Sequence, residues 1–317
     1  MTNAYHLLPT TDEMKKDLIT LYNLSTDEIL GILADAQAMK ANPEMCCDLL
    51  NGKNIGLVFQ KPSNRTRVSF EVGINQLGGN CIYLGPTEIN LGVRETTADV
   101  AKTLTRYLDG IVARVNHNKD VNELAKHSTV PVINGLCDLY HPCQGLTDLF
   151  SIQEKLGELK GKKLAYVGDG NNVCHSLLLG SAKVGMNMSV ATPQGYEANQ
   201  NVVGQVMEIA KDTGANISLG FDPKAAVQDA DVIYADVWVS MGQETESKER
   251  LNQFQDFQIN AELAGLAKDN YIFMHCLPAH RGEEVTADII DGQHSIVFDQ
   301  AENRLHTQKA ILKYLFG

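Results

Sequence analysis

At 317 residues the chain is long for one hydrophobic core, so two domains are expected. Its 44 % apolar and 21 % charged content is that of an ordinary globular protein, neither fibrous nor low in complexity. A net charge of −12 leaves no basic face for a nucleic-acid partner, although a few local arginines can still hold an anionic substrate.

In chain order, residues 1–15 lack the apolar core of a signal sequence, and no apolar run is long enough to cross a bilayer. Ser25-Thr26-Asp27-Glu28 is a capping box ahead of Ile29, Leu30, Ile32 and Leu33, which predicts a helix to about Lys40. The apolar run 55–59 predicts a short buried strand, broken by Pro62. A helical pattern then starts near Arg65 and continues through Val68, Phe70, Val72, Ile74 and Leu77. Residues 81–84 read as a second strand and 88–97 as an exposed polar loop. A helix over about 98–108 precedes a strand at 110–115, and another short helix precedes a strand at 130–134. The helical stretch 149–156 follows His141-Pro142-Cys143-Gln144. The segment 157–163, with its Gly and Lys residues, reads as the seam between domains. Beyond it strands are expected at 164–167, 188–191, 217–220, 232–235 and 271–275, with helices between and a last helix over about 302–315. Strands alternating with helices imply an α/β protein with parallel sheets. Seven cysteines at 46, 47, 81, 137, 143, 174 and 276 form no CxxC pair. Their odd number points to reduced thiols in a cytosol, most of them small core residues.

Six places carry chemistry. Ser63, Asn64, Arg65 and Thr66 fall where a strand ends and a helix begins, so free backbone N–H groups, two hydroxyls and a guanidinium fork can cradle a phosphate. The competing reading is a plain helix cap with arginines on a solvated face. Arg114 ends an apolar strand, where open α/β sheets place ligand groups; a buried structural ion pair is the alternative. His141 and Gln144 lie three apart at a helix start and can face one cleft. Gly168-Asp169-Gly170-Asn171-Asn172 follows a strand, yet Val173 stands where a dinucleotide fingerprint needs glycine. Thr192-Pro193 also supplies no acid for a ribose, which argues against NAD. Asp236 and the following Ser240-Met241-Gly242 come directly after a strand. His275-Cys276-Leu277-Pro278 ends the last central strand. Cys276 there reads as a buried thiol, as a metal ligand with His275 and His280 lacking a further ligand pair, or as a nucleophile.

Ser63-Asn64-Arg65-Thr66-Arg67, His141-Pro142-Cys143-Gln144, Asp236 with Ser240-Met241-Gly242, His275-Cys276-Leu277-Pro278 and Glu302-Asn303-Arg304 occur in one order over roughly residues 54–315. Together these strings resemble the aspartate/ornithine carbamoyltransferase family. That resemblance implies two Rossmann-like domains, each a parallel sheet flanked by helices, linked by two interdomain helices. Residues 1–148, completed by a C-terminal helix at 300–317, would bind carbamoyl phosphate; 149–299 would bind ornithine. It implies transfer of a carbamoyl group from carbamoyl phosphate to the δ-amine of L-ornithine, giving L-citrulline and phosphate, with no metal or cofactor. A related amine, putrescine or an N-acylated ornithine, is the alternative acceptor. By the same resemblance Arg114, His141, Cys276 and Arg304 would be catalytic. Ser63, Asn64, Arg65, Thr66, Asn90, Gln144 and Leu277 would join Arg114, His141, Cys276 and Arg304 around carbamoyl phosphate, with Asn172, Asp236, Ser240 and Met241 on ornithine. Two features depart from the pattern: Asn64 replaces the usual Thr, and Pro62 is more typical of relatives using aspartate or acylated ornithine. The loop 90–95 would reach a neighbour's site in a homotrimer. A cytoplasmic place in arginine metabolism is implied, without distinguishing synthesis from breakdown.

Overall fold

The computed structural model describes residues 15–239 and 247–317. Helix α1 (Thr26–Ala41) starts at the expected capping box: the Ser25 hydroxyl accepts from Glu28 N–H at 3.1 Å, and the Glu28 carboxylate accepts from Ser25 N–H at 2.8 Å. The first sheet comprises β1 (Asn54–Phe59), β2 (Asn80–Leu84), β3 (Gly110–Arg114) and β4 (Val132–Leu136), all parallel and ordered β2-β1-β3-β4. Helices α2 (Asn64–Gln76), α3 (Pro86–Ile89), α4 (Thr97–Leu104) and α5 (Asn118–His127) make its crossovers. Strand β3 is buried at every position, its residues 110–113 uncharged as a central parallel strand requires and Arg114 closing it.

Helix α6 (Pro142–Leu156) leaves the first sheet and runs unbroken across residues 148 and 149 toward the second. That sheet holds β5 (Lys163–Val167), β6 (Asn187–Ala191), β7 (Ile217–Gly220), β8 (Val232–Ala235) and β9 (Ile272–His275) in the parallel order β7-β6-β5-β8-β9. Around it lie α7 (Asn172–Val184), α8 (Gln200–Thr213), α9 (Pro223–Val227), α10 (Ser247–Gln253), α11 (Ala261–Ala264) and α12 (Ala287–Ile290). Helix α13 (Val297–Phe316) starts five residues before the expected 302 and packs back on α1, α2 and α6. One continuous apolar core joins both sheets, with Phe59, Phe150 and Tyr166 among its largest members.

Some expectations needed correction. The polar stretch 88–97 is not all loop, since α3 and the start of α4 occupy its ends; Pro86 at the first helical position pre-sets the helical φ. Of the seven cysteines only 137, 143 and 174 are buried; 46, 81 and 276 are partly exposed and 47 is on the surface, all seven as free thiols.

Topology fixes where ligands go. In each sheet the strand order reverses once, between β1 and β3 and between β5 and β8, and open parallel sheets bind ligands beyond the carboxyl ends at such points. Ser63 follows β1, Arg114 ends β3, Asn172 follows β5 and Asp236 follows β8, so four expected site residues flank the two reversals.

Candidate active site

The first half of the site grows from α2. Ser63 is its N-cap, and its hydroxyl accepts from Thr66 N–H at 3.2 Å. Asn64 Oδ1 turns back to accept from Arg65 N–H at 2.7 Å. Both N–H groups expected to face a phosphate are therefore capped by the chain's own side chains, and those must swing aside for an anion to enter. Asn64 is exposed, so its rotation costs little. Arg65 reaches across the cleft and donates to the Leu277 carbonyl at 2.7 Å, joining the α2 start to the tip of β9. The last residue of the string, Arg67, turns outward: it stacks 3.9 Å over the Tyr83 ring and donates to Glu71 at 2.9 Å.

Arg304 comes from the second turn of α13 and is buried. It donates to Gln144 Oε1 at 2.7 Å and to the Thr66 hydroxyl at 2.9 Å, so one guanidinium binds α2, α6 and α13 together. Arg114, buried at the end of β3, has an Nε without a hydrogen-bond partner among the described residues. Burial, then Arg304 and Arg65, lower its proton affinity to about 10. His141 is buried too, and its pKa lies well below the usual 6.5; burial is the main cause, followed by Arg304, Arg114 and Arg65. It is therefore a neutral imidazole, with Nδ1 unpaired among the described residues. The His141 backbone N–H donates to the Ser176 hydroxyl at 2.8 Å, which seats the Pro142 turn on α7. Three guanidiniums and a neutral ring grouped around the end of β3 make a positive field that suits a small dianion.

The second half lies across the cleft. Asp236 is buried; its Oδ1 accepts from the Cys276 thiol at 3.0 Å and from Val237 N–H at 2.8 Å, while Oδ2 accepts from Asn171 Nδ2 at 2.7 Å. Burial, and then Asp236, push the Cys276 thiol well above its ordinary pKa, which is the opposite of a thiolate nucleophile. Nor does His275 serve it as a base: Nδ1 accepts from Leu277 N–H at 2.9 Å and Nε2 faces the buried Glu284 at 3.2 Å. Asp236, His275 and Cys276 bring three potential ligand atoms within 4.8 Å, but both His275 nitrogens are occupied. His280 groups instead with Glu283 and Glu284, apart from the expected trio with His275 and Cys276. Leu277 itself holds a positive φ of 58°, which aims its carbonyl at Arg65.

Asn172, the first residue of α7, donates to the Cys137 carbonyl at 2.6 Å. Asn90 is not brought into the cluster: it is exposed, in the left-handed region at the end of α3. Ser240 and Met241 lie outside the described residues. The Gly168 and Gly170 pair has a packing reason rather than a dinucleotide one. A Cβ at Gly170 would collide with the backbone at Glu197 and Ala198, and Gly168 has a φ of +146°.

Three functional neighbours were not read from the sequence. Asn171 caps α7 through Oδ1, which accepts from Val173 and Cys174 N–H, and this leaves Nδ2 for Asp236. Ser176 seats His141. Asp148 receives Gln144 Nε2 at 2.7 Å. Of these only the Gln144–Asp148 pair had a signal, the i,i+4 spacing of one helix face.

The comparisons with known proteins agree along the chain. The model described as "Aspartate/ornithine carbamoyltransferase, carbamoyl-P binding domain" matches residues 16–154, and "Aspartate/ornithine carbamoyltransferase, Asp/Orn binding domain" matches 160–315. A protein of Bacillus thuringiensis subsp. konkukian named ornithine carbamoyltransferase is 57 % identical over 301 residues, 95 % of this chain and 94 % of that one. The ornithine carbamoyltransferase structure from Pyrococcus furiosus superposes with a TM-score of 0.93 at 52 % identity, covering 96 % of this chain and 97 % of its own. The anabolic ornithine carbamoyltransferase structure from Campylobacter jejuni gives 0.91 at 38 % identity, over 95 % and 98 %.

Proposed function

The chain belongs to the aspartate/ornithine carbamoyltransferase family, and on that premise we propose that it transfers the carbamoyl group of carbamoyl phosphate to L-ornithine, releasing L-citrulline and phosphate. The observation that carries this reading is the convergence of Arg65, Arg114 and Arg304 on a neutral His141 at the tip of the first sheet, opposite a carboxylate at the tip of the second. The relatives cited above are named for ornithine, so putrescine and acylated ornithine find no support as acceptors.

In this proposal the phosphate sits at the start of α2, held by Arg65 and by the N–H groups that Ser63 and Asn64 cap. Thr66 contributes its hydroxyl. The carbamoyl oxygen faces Arg114, His141, Arg304 and Thr66, and Gln144 and the Leu277 carbonyl accept from its amide. The neutral δ-amine attacks the carbamoyl carbon, the carbon–nitrogen bond forms, and negative charge grows on the carbonyl oxygen. The intermediate then collapses: the carbonyl re-forms, the carbon–oxygen bond to phosphate breaks, and the departing phosphate takes the extra proton from the attacking nitrogen, leaving the neutral amide of citrulline. Donors already fixed around that oxygen lower the barrier without reorganising, and losing one typically costs on the order of 10²–10³ in turnover. Aligning two substrates supplies roughly 7–11 kcal/mol more. Ammonium has no lone pair, so a carboxylate on the δ-nitrogen would hinder attack. Asp236 therefore pairs the α-amine, with Asn172, Ser240 and Met241 completing the clamp. Cys276 lies beside the attacking nitrogen as an un-ionised thiol.

The domain division at 148/149, with 300–317 completing the first domain, belongs to the same proposal, as does a homotrimer. The exposed Val68, Val72 and Ile82 on α2 and the edge strand β2 offer a face for neighbouring chains, and the loop after Asn90 is exposed to reach one. A cytoplasmic role in arginine metabolism fits the free thiols; no described helix is long and apolar enough to cross a membrane. A citrulline assay with ornithine, putrescine, acetylornithine and aspartate side by side tests the function: ornithine alone should give strong turnover, and absence of product with it refutes the reading. Sedimentation equilibrium tests the trimer.

A further inference from the structure

A glutamine amide has nearly the same shape either way round, yet one end donates and the other accepts. Which end Gln144 turns to the cleft decides what it can bind. The group behind it is Asp148, one turn further along α6, which is fully buried. Its Oδ1 accepts from Gln144 Nε2 at 2.7 Å and from Gln300 Nε2 at 2.7 Å, and its Oδ2 accepts from the Tyr234 hydroxyl at 3.1 Å. The sense of this chain is set from a backbone group, because Gln300 Oε1 accepts from His275 N–H at 3.0 Å. Gln300 must then present its amide end to Asp148, Gln144 must do the same, and Gln144 Oε1 is left facing Arg304 and the cleft. Burial raises the Asp148 carboxyl to about 7, with Arg304, Tyr234 and Cys276 the ionisable groups around it. A proton on Oδ2 leaves Oδ1 an acceptor, so the orientation of Gln144 does not depend on that ionisation.

We propose that Asp148, acting on one end of the amide while Arg304 holds the other, is a positioning residue that keeps Gln144 with its carbonyl toward the cleft, and so makes the site select a phosphorylated substrate bearing an amide N–H over one bearing a methyl group. This rests on the carbamoyl phosphate reading above. Gln144 Oε1 already accepts from Arg304 at 2.7 Å with one lone pair, so an acyl phosphate would set a methyl against the other and lose the hydrogen bond that a carbamoyl N–H makes there.

The test measures dissociation constants of carbamoyl phosphate, acetyl phosphate and inorganic phosphate for the full-length wild type, Asp148→Leu and Asp148→Asn. Asp148→Leu should weaken carbamoyl phosphate about tenfold or more and leave acetyl phosphate and phosphate within about threefold. Asp148→Asn, whose Oδ1 can accept from both amides, should restore the preference. Parallel weakening of all three ligands, an unchanged carbamoyl-to-acetyl ratio, or an Asn variant as impaired as Leu would overturn the proposal. Should Asp148→Leu not fold, crystals of the wild type with carbamoyl phosphate decide. The carbamoyl nitrogen within hydrogen-bond reach of Gln144 supports it, and a carbamoyl nitrogen turned elsewhere overturns it. Wild-type protein that releases no citrulline refutes the function itself; citrulline release with an unaltered ratio refutes only the role of Asp148.

Discussion

Arg114 should trade stability for activity, and Arg114→Met exposes the trade. The guanidinium is buried beside two others, with Nε unpaired among the described residues, and its proton affinity is lowered from the usual arginine range to about 10 by burial and by Arg304 and Arg65. Keeping it charged in the folded protein at neutral pH therefore costs about 3 kcal/mol. The sign follows from the lowered affinity: the cost is fully present below pH 10 and is relieved only as pH rises past that value. Methionine keeps the apolar stem and removes the charge, so at pH 7.5 the variant should gain up to about 3 kcal/mol, less the packing lost at the tip. For a chain of this size that corresponds to a Tm higher by on the order of 5 °C. Its kcat should fall on the order of 10²–10³ with loss of an oxyanion donor. Arg114→Lys retains the charge and should gain no stability. Calorimetry and the citrulline assay on the same preparations give both numbers. A Met variant that melts lower than wild type, or turns over within about fivefold of it, refutes the claim that this charge is held for catalysis at the expense of the fold.

Cys276→Ser should retain turnover within about 100-fold, because the thiol is un-ionised and donates to Asp236; complete loss, or a trapped thioester in the wild type, would reinstate a covalent mechanism. Asn171→Ser keeps the oxygen that caps α7 and removes the amide on Asp236, so KM for ornithine should rise about tenfold while KM for carbamoyl phosphate stays put. Equal shifts in both constants would contradict that division of the cleft. His141 is neutral when folded but takes a proton at about its usual 6.5 when unfolded, so stability falls as pH drops below that value. His141→Gln should flatten this acid decline in chemical denaturation between pH 7 and 5, and an unchanged slope would place its origin elsewhere.

Local pattern determined a good deal of this molecule. The apolar runs that became β1, β3 and β8 were legible because a strand buried on both faces must be largely apolar, and α1 because a capping box satisfies its own N–H groups. The strings at Ser63 and Cys276 marked strand ends, and that at His141 a helix start, before any geometry was known. What the pattern did not hold was polarity and reach. That Ser63 and Asn64 turn their side chains onto their own cradle is a local choice of rotamer that the pattern does not record, whereas Arg67 facing outward onto Tyr83 and Arg304 turning in to Thr66 are decided by contacts between residues distant in sequence. The same is true of Asp148, whose donors come from α6, β8 and α13. A side chain's ordinary propensities do not record which oxygen it will offer; only the packed structure, by burying it among three donors, leaves it a single choice.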